Sequence, residues 1–346
     1  MNINISNPLS DSRWDDLVAR HPRASAFHTR GWLEALVRTH RYEPLVLTSA
    51  RPGELMQQGI VLCRVSSWIT GTRLVSLPFT DHCEPLLDHA DASTEFSGWL
   101  RTECDRRRWR YVELRPLSWQ ESSDGILKSS CSYCFHTLDL SPSLEQIFRT
   151  LHRDSVQRRI LRADKLGMTY EIGRSPELQS EFYRLVRMTR RRQRLIPQPR
   201  NWFRNLVECM GKDLQIRLAR KDGVGVAAML TLQHRSRIIY KYGCSDERSH
   251  HLGGVPFLFW RLIEESKALG MEQIDLGRSD LDNEGLIRFK DRFGTRKQSL
   301  TYFRYSPTTK RDAASGWGLR AARQIFSVLP EIVSPAAGRI LYRHIG

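Results

Sequence analysis

The chain has 346 residues, 40% of them hydrophobic, with 54 basic and 38 acidic side chains and a net charge of +16. That length accommodates two domains of ordinary size, and that apolar fraction excludes wholesale disorder. No apolar run approaches the ~18 residues that span a bilayer, and the opening Met1-Asn-Ile-Asn-Ile-Ser-Asn-Pro8 lacks a signal-peptide pattern. Seven cysteines scattered along the chain point to a reducing compartment, so the expectation is a cytoplasmic protein. The charge is unevenly spread. Residues 1–140 carry 16 basic and 17 acidic side chains, residues 141–305 carry 32 and 19, and residues 306–346 carry 6 and 2. The excess beyond residue 140 predicts domains at 1–140 and 141–305 with a tail at 306–346, the second facing something anionic. A solvated basic face kept for solubility is the plainer account.

In the first part, helices are expected at Trp14–Ala19 and Gly31–Thr39, the latter capped by Thr29 and bearing Trp32, Leu33, Leu36 and Val37. Strands follow at Pro44–Ser49, Gly59–Ser66 and Arg73–Leu77. The loop Ser76–Pro85 is rich in polar and aromatic tips, including Asp81 and His82, which suit work on an amine; an Asx-turn is the duller alternative. A helix at Thr94–Arg107 and strands at Tyr111–Arg115 and Tyr133–Leu140 complete a sheet with helices on it.

The second part opens with helices at Leu144–Leu151 and Ser155–Leu166, the latter densely basic, and a strand at Met168–Ile172. A helix at Glu177–Arg194 ends in an arginine cluster, and another runs from Asn201 to Met210. Leu214–Arg220, the turn Asp222-Gly223 and Val224–Gln233 form a hairpin that Arg237–Ser245 extends to a meander. After a polar loop, Gly253-Gly254 leads into a helix with Pro256 in its first turn and an apolar stripe of Val255, Leu258, Phe259, Leu262 and Ile263. A short strand Glu272–Leu276 follows, ending in Gly277-Arg278, then a helix at Gly285–Arg292 and a strand at Ser299–Tyr305. A Gly-Gly pair opening into a helix suits a phosphate, although such pairs are commonly only turns. Strand, helix and parallel strand place ligand residues at the carboxyl ends of the strands.

This order, with Phe27-His-Thr-Arg-Gly-Trp32, Arg73-Leu-Val-Ser-Leu-Pro-Phe-Thr-Asp81, Asp275-Leu-Gly-Arg278 and Arg288-Phe-Lys-Asp-Arg-Phe-Gly294, resembles the FemAB-like branch of the GNAT acyltransferases. The ending from Leu329-Pro330 to Gly346 is similar to members associated with exopolysaccharide export loci. The resemblance spans nearly the whole chain on short motifs. It implies an α/β (α+β) fold of two tandem GNAT-like domains, each a mixed, mostly antiparallel twisted sheet flanked by helices. It also implies transfer of an acyl or aminoacyl group to an amine on a sugar or envelope precursor.

The family uses two donors. Typical GNAT enzymes cradle the pyrophosphate of acetyl-CoA on a glycine loop, of which Arg248-Ser-His-His-Leu-Gly253-Gly254 is a stretched version; peptidoglycan-bridge members take aminoacyl-tRNA, which would suit the basic domain. Acyl-CoA is favoured because no long helical insertion for tRNA is visible. By resemblance Lys290 occupies the family's Phe-Lys position and stabilises the oxyanion, where a single donor is worth about 3 kcal/mol. A surface lysine on a short helix is its bland reading. Asp275 and Arg278, at a strand end, suit substrate placement or a structural ion pair. Tyr242 or Tyr240 could protonate a leaving thiolate, Tyr240 also lying along the cofactor, or both could be packing residues.

Other signals are set aside. Cys131-Ser-Tyr-Cys134 lacks a second pair, His250-His251 lacks a metal partner nearby, and no metal is expected. The arginine clusters lack a DNA-reading motif, so sequence-specific DNA binding is not expected. The tail from Gly316 reads as basic and amphipathic, suited to lying on the anionic inner face of a membrane or to packing back on the domains. A non-catalytic scaffold for polysaccharide assembly is the rival from another class, and a general RNA-binding module is a third reading.

Overall fold

The computed structural model describes residues 3–68, 70–88, 90–119, 125–307 and Tyr342; apart from its first residues and Tyr342, the expected amphipathic tail lies outside the described residues. The chain divides into two compact units, one of Met1–Ser132 with Leu300–Gly346 and one of Tyr133–Ser299.

The first unit contains strands β1 (Asn4–Ser6), β2 (Glu43–Thr48), β3 (Ile60–Val65), β4 (Arg73–Val75) and β5 (Val112–Leu114), with helices α1 (Ser12–Arg20), α2 (Arg30–His40) and α3 (Ala90–Arg106). Asp11 caps α1 by accepting from the Arg13 N–H, and Trp14, Leu17 and Val18 form its buried stripe. Thr29 stands at the N-cap of α2, but its hydroxyl donates to the Ala26 carbonyl at 2.7 Å, so the expected side-chain cap is not made. The sheet is antiparallel from β1 to β4, β4 pairs parallel with β5, and Leu62, Leu74, Phe96, Leu100, Val112 and Leu114 close its core.

The loop after β4 is tightly held. Leu77 and Phe79 both take left-handed φ values, 44° and 62°, which cost energy for non-glycine residues. The Arg115 guanidinium donates to the Leu77 and Thr80 carbonyls (3.1 and 3.4 Å), and the Tyr302 hydroxyl donates to the Asp81 carbonyl (2.6 Å). Burial alone would raise the Glu113 carboxyl, but Arg115 and Arg304 (3.0 and 2.6 Å) outweigh it and hold it below the usual range.

The second unit holds α4 (Leu144–Thr150), α5 (Arg158–Lys165), β7 (Thr169–Gly173), α6 (Pro176–Arg192), α7 (Arg200–Met210), β8 (Leu214–Lys221), β9 (Val224–His234), β10 (Arg237–Ser245), α8 (Gly254–Ala268), β11 (Gln273–Asp280) and α9 (Glu284–Asp291). The helix expected from Ser155 is instead a π turn, Arg153–Gln157, leading into α5, and a 3₁₀ turn, Glu247–Leu252, fills the polar loop before α8. β11 runs on to Asp280, so Gly277 and Arg278 lie inside the strand rather than at its end. Strands β7 to β10 form an antiparallel meander, and β10 pairs parallel with β11 across the α8 crossover. Ile160, Ala163, Leu258, Leu262, Ile274 and Phe293 pack the α8 face.

Strands β6 (Lys128–Asp139) and β12 (Arg296–Tyr305) exchange partners. β6 follows β5 in the chain but pairs with β11 from Tyr133 onward; β12 follows β11 but its final residues, Phe303–Tyr305, pair with β5. Both pairings are antiparallel, so each βαβ crossover is flanked by a strand from the other half of the chain.

Arg217 on β8, only 2% exposed, meets Glu265 of α8 at 2.9 Å, and Tyr170 of β7 donates to the same carboxylate at 2.7 Å. Arg217 also donates to the Thr231 hydroxyl on β9. Glu265→Ala strands a buried guanidinium and is expected to cost about 3 kcal/mol in urea unfolding, whereas Arg217→Met with Glu265→Leu recovers most of the loss. In the first unit, burial lowers His40 to about 3. Its folded value lies below its unfolded one, so its stabilising contribution is complete above about pH 6.5 and is lost as pH falls toward 3. His40→Gln is expected to flatten unfolding free energy against pH across that window.

Candidate active site

The parallel pairing of β10 and β11 covers only Arg237↔Gln273, Ile238↔Ile274 and Ile239↔Asp275, although the strands continue to Ser245 and Asp280. Irregularities sit just beyond the last pair. β10 shifts register against β9 between Tyr240 and Tyr242, and β11 shifts against β6 between Asp275 and Arg278. One extra residue in a strand sends the following side chains to the opposite face. Tyr240 accordingly packs on Phe259 of α8 (centroids 4.7 Å), whereas Tyr242 packs edge-on against Phe203 of α7 (5.2 Å).

The α7 face therefore gathers Tyr242 from β10 and Asp275 and Arg278 from β11. Asp275 stands opposite Thr137 and Arg278 opposite Phe135, two residues apart on β6, so both share that face. The Tyr242 oxygen accepts from the Trp202 indole N–H at 2.9 Å. The Arg278 guanidinium lies 4.0 Å over the Tyr133 ring, a cation–π contact that sets its plane. Asp275, 5% exposed, accepts from the Gly277 N–H at 2.6 Å and closes the β11 irregularity.

Lys290 approaches from α9. It is 3% exposed, and its ammonium donates to the Gly277 and Arg278 carbonyls at 2.8 and 2.9 Å. The surface-lysine reading is excluded by this burial. Beside it, Asp291 meets His136 of β6 (3.3 Å) and Lys297 (3.2 Å). Burial lowers His136, reinforced by the Lys290 charge and opposed by Asp291, so the imidazole is neutral near pH 7. Tyr240 belongs to the α8 core, where burial raises its phenol.

The remaining cofactor candidates lie where β10 ends. Arg248 sits exposed in the 3₁₀ turn, ion-paired to Asp246 at 3.4 Å. Gly253 has φ 81°, and a Cβ there would fall 2.6 Å from the Arg159 carbonyl; one on Gly254 would press on Val226 and Ala227 at 3.0 and 3.1 Å. Both glycines are demanded by packing, which brings the start of α8 against β9. Around the turn, Ser245 meets His250 at 2.8 Å, and the Arg192 guanidinium reaches His250 at 3.3 Å. Burial lowers His250, and Arg192 lowers it further.

Asp81 and His82 belong to the first unit. The Asp81 main chain is held by Tyr302, and His82, 4% exposed, packs edge-on against Phe27 (5.4 Å) rather than lining an open loop. The sequence reading passed over Trp202, Tyr133 and the His136–Asp291 pair. The alternation Tyr133, Phe135, Thr137 and the strand glycine Gly243 were the available signals. Among the described residues no cluster of metal-ligating side chains occurs.

Residues 151–291 match the family model for an acetyltransferase (GNAT) domain. That stretch of the second unit is thus a GNAT-type acyltransferase domain, in a chain whose fold is FemAB-like. Among solved structures it is similar to FemX, with a TM-score of 0.70 at 14% identity, over 89% of this chain and 98% of that one. A C-terminal domain described as that of a lysylphosphatidylglycerol synthetase from Agrobacterium fabrum gives a TM-score of 0.59 at 15% identity, covering 94% and 99%. A tandem GNAT protein from the clavulanic acid biosynthesis pathway gives 0.54 at 12%, covering 89% and 100%. A comparison with curated protein sequences finds no match. In this GNAT domain Lys290→Met leaves two carbonyls without their donor, and an unfolding cost of about 2 kcal/mol is expected in urea titration.

Proposed function

We propose that the chain transfers an acyl group, most simply acetyl, from acyl-CoA to an amine on a sugar or cell-envelope precursor. The observation that carries this reading is the early end of the β10–β11 pairing, which leaves strand backbone facing a gap. An extended amide-bearing chain can hydrogen-bond to such an edge as an added strand does, and the pantetheine arm of CoA is such a chain. Its phosphates would then lie toward the start of α8, near Arg248 and Gly253-Gly254, in the favourable field of a helix N-terminus.

With the thioester carbonyl at the irregularities, the acceptor approaches from the α7 face. Asp275 is placed to orient the amine and draw off its proton, and Arg278 to hold an anionic or hydroxyl-rich part of the acceptor. The amine forms the new C–N bond, a tetrahedral oxyanion develops, and the C–S bond breaks. Lys290, locked onto the β11 carbonyls, supplies a fixed positive charge near that oxyanion without needing to reorganise. The indole N–H on the Tyr242 oxygen favours transient negative charge there, which suits a phenol handing its proton to the leaving thiolate. Tyr240 serves as a wall of the gap.

A second reading, aminoacyl transfer from charged tRNA, rests on the exposed arginines of α5 and the end of α6. Calorimetry with acetyl-CoA, CoA and bulk tRNA separates the two. Micromolar binding of acetyl-CoA that Arg248→Ala weakens several-fold is expected. Tight tRNA binding without CoA binding would move the donor to tRNA. Asp275→Asn should retain donor binding and lose acyl transfer to an aminosugar probe by roughly 100-fold, the range of general base catalysis.

A further inference from the structure

The basic helices on the two faces of the second sheet meet at one place. The start of α5 touches the turn before α8 through the Arg159 carbonyl at Gly253, and the last turn of α6 reaches the same turn through Arg192 and His250. Most nearby acidic groups are already matched, Asp154 by Arg158 (2.8 Å), Asp164 by Arg261 (2.8 Å) and Asp246 by Arg248 (3.4 Å), while Glu247 of the turn is exposed beside His250. Arg159, Arg162 and Arg194 are exposed and have no acidic partner among the described residues. Two large apolar side chains adjoin them in sequence, Leu161 next to Arg162 at 52% and Leu195 next to Arg194 at 40% exposure. Leu161 is not needed by the core, because Val156, Ile160 and Ala163 already bury the inward stripe of α5 and the turn before it.

We infer that this surface docks on an anionic phospholipid bilayer. Arginines placed among exposed leucines match a headgroup layer lying over acyl chains: guanidiniums bind the phosphates while leucines enter the boundary. Folded tRNA, the competing polyanion, is held through its phosphates and shape, which would give the exposed leucines no role. Docking would hold the mouth of the β10–β11 gap at a membrane surface. The inference rests on α5 and the residues just past α6, and on the acyl-CoA reading, because a tRNA donor would claim the same arginines.

The test is cosedimentation of the full chain with phosphatidylglycerol-containing vesicles and with pure phosphatidylcholine vesicles, across a salt series. Binding to the anionic vesicles alone, falling as salt rises, is expected. Arg162→Ala with Arg194→Ala should weaken it roughly fivefold per charge removed. Leu161→Ser with Leu195→Ser should also weaken it several-fold, circular dichroism and acetyl-CoA binding remaining unchanged. Failure to bind anionic vesicles would overturn the inference. So would binding that the leucine substitutions leave intact while bulk tRNA competes for the same arginines, because the surface would then read phosphates alone.

Discussion

Parallel strands that share hydrogen bonds over three residues and then part must each do something with the backbone groups they release. β10 and β11 part after Ile239 and Asp275, and the arrangement of the candidate site follows from how that release is handled. On β11 the Gly277 N–H is taken by the Asp275 carboxylate, and the Gly277 and Arg278 carbonyls by the Lys290 ammonium. The Asp275 carboxylate and the Lys290 ammonium, one from β11 and one from α9, are thus both fixed by the main chain of one short stretch of strand. On β10 the extra residue turns Tyr242 away from the face Tyr240 occupies.

Burial makes this arrangement rigid and raises what depends on it. Lys290 is almost wholly out of water, and the two carbonyl dipoles it donates to stand in for hydration. Its position is therefore set by α9 as much as by the strand, and the short helix becomes part of the site. His136, neutral and in contact with Asp291, lets that carboxylate face Lys297 without adding a further buried positive charge. The same logic runs through the first unit, where Glu113 between two arginines secures the strained Leu77–Phe79 turn.

Much of the fold was legible because it is written in periodicity. The α8 stripe, the Asp222-Gly223 hairpin and the strand at Arg237–Ser245 follow from 3.6- and 2-residue patterns and from turn chemistry. The FemAB-like resemblance points to Lys290 but not to its burial, because a lysine next to Phe289 on an eight-residue helix has no local signature of being interior. The division of Asp275, Tyr242 and Arg278 from Tyr240 was not legible. It depends on single-residue irregularities in two strands, and a one-residue shift is invisible to a pattern that reads either face equally well. Gly253-Gly254 before a helix suggests a phosphate loop in sequence; the packing of both against Arg159, Val226 and Ala227 comes from parts of the chain that no local window contains.

The exchange of β6 and β12 bears on how this molecule can be divided. Each half of the chain contains a meander, a crossover helix and a parallel strand, yet the neighbour completing that parallel strand is drawn from the other half. A fragment ending after β6 would leave β5 as a bare edge, and a fragment starting after β6 would leave β11 the same way. Such pieces are sticky rather than autonomous, and their natural remedy is to find each other. The two halves thus depend on each other to complete their sheets: late-synthesised β12 must return to β5, about 190 residues earlier, a long and slow closure.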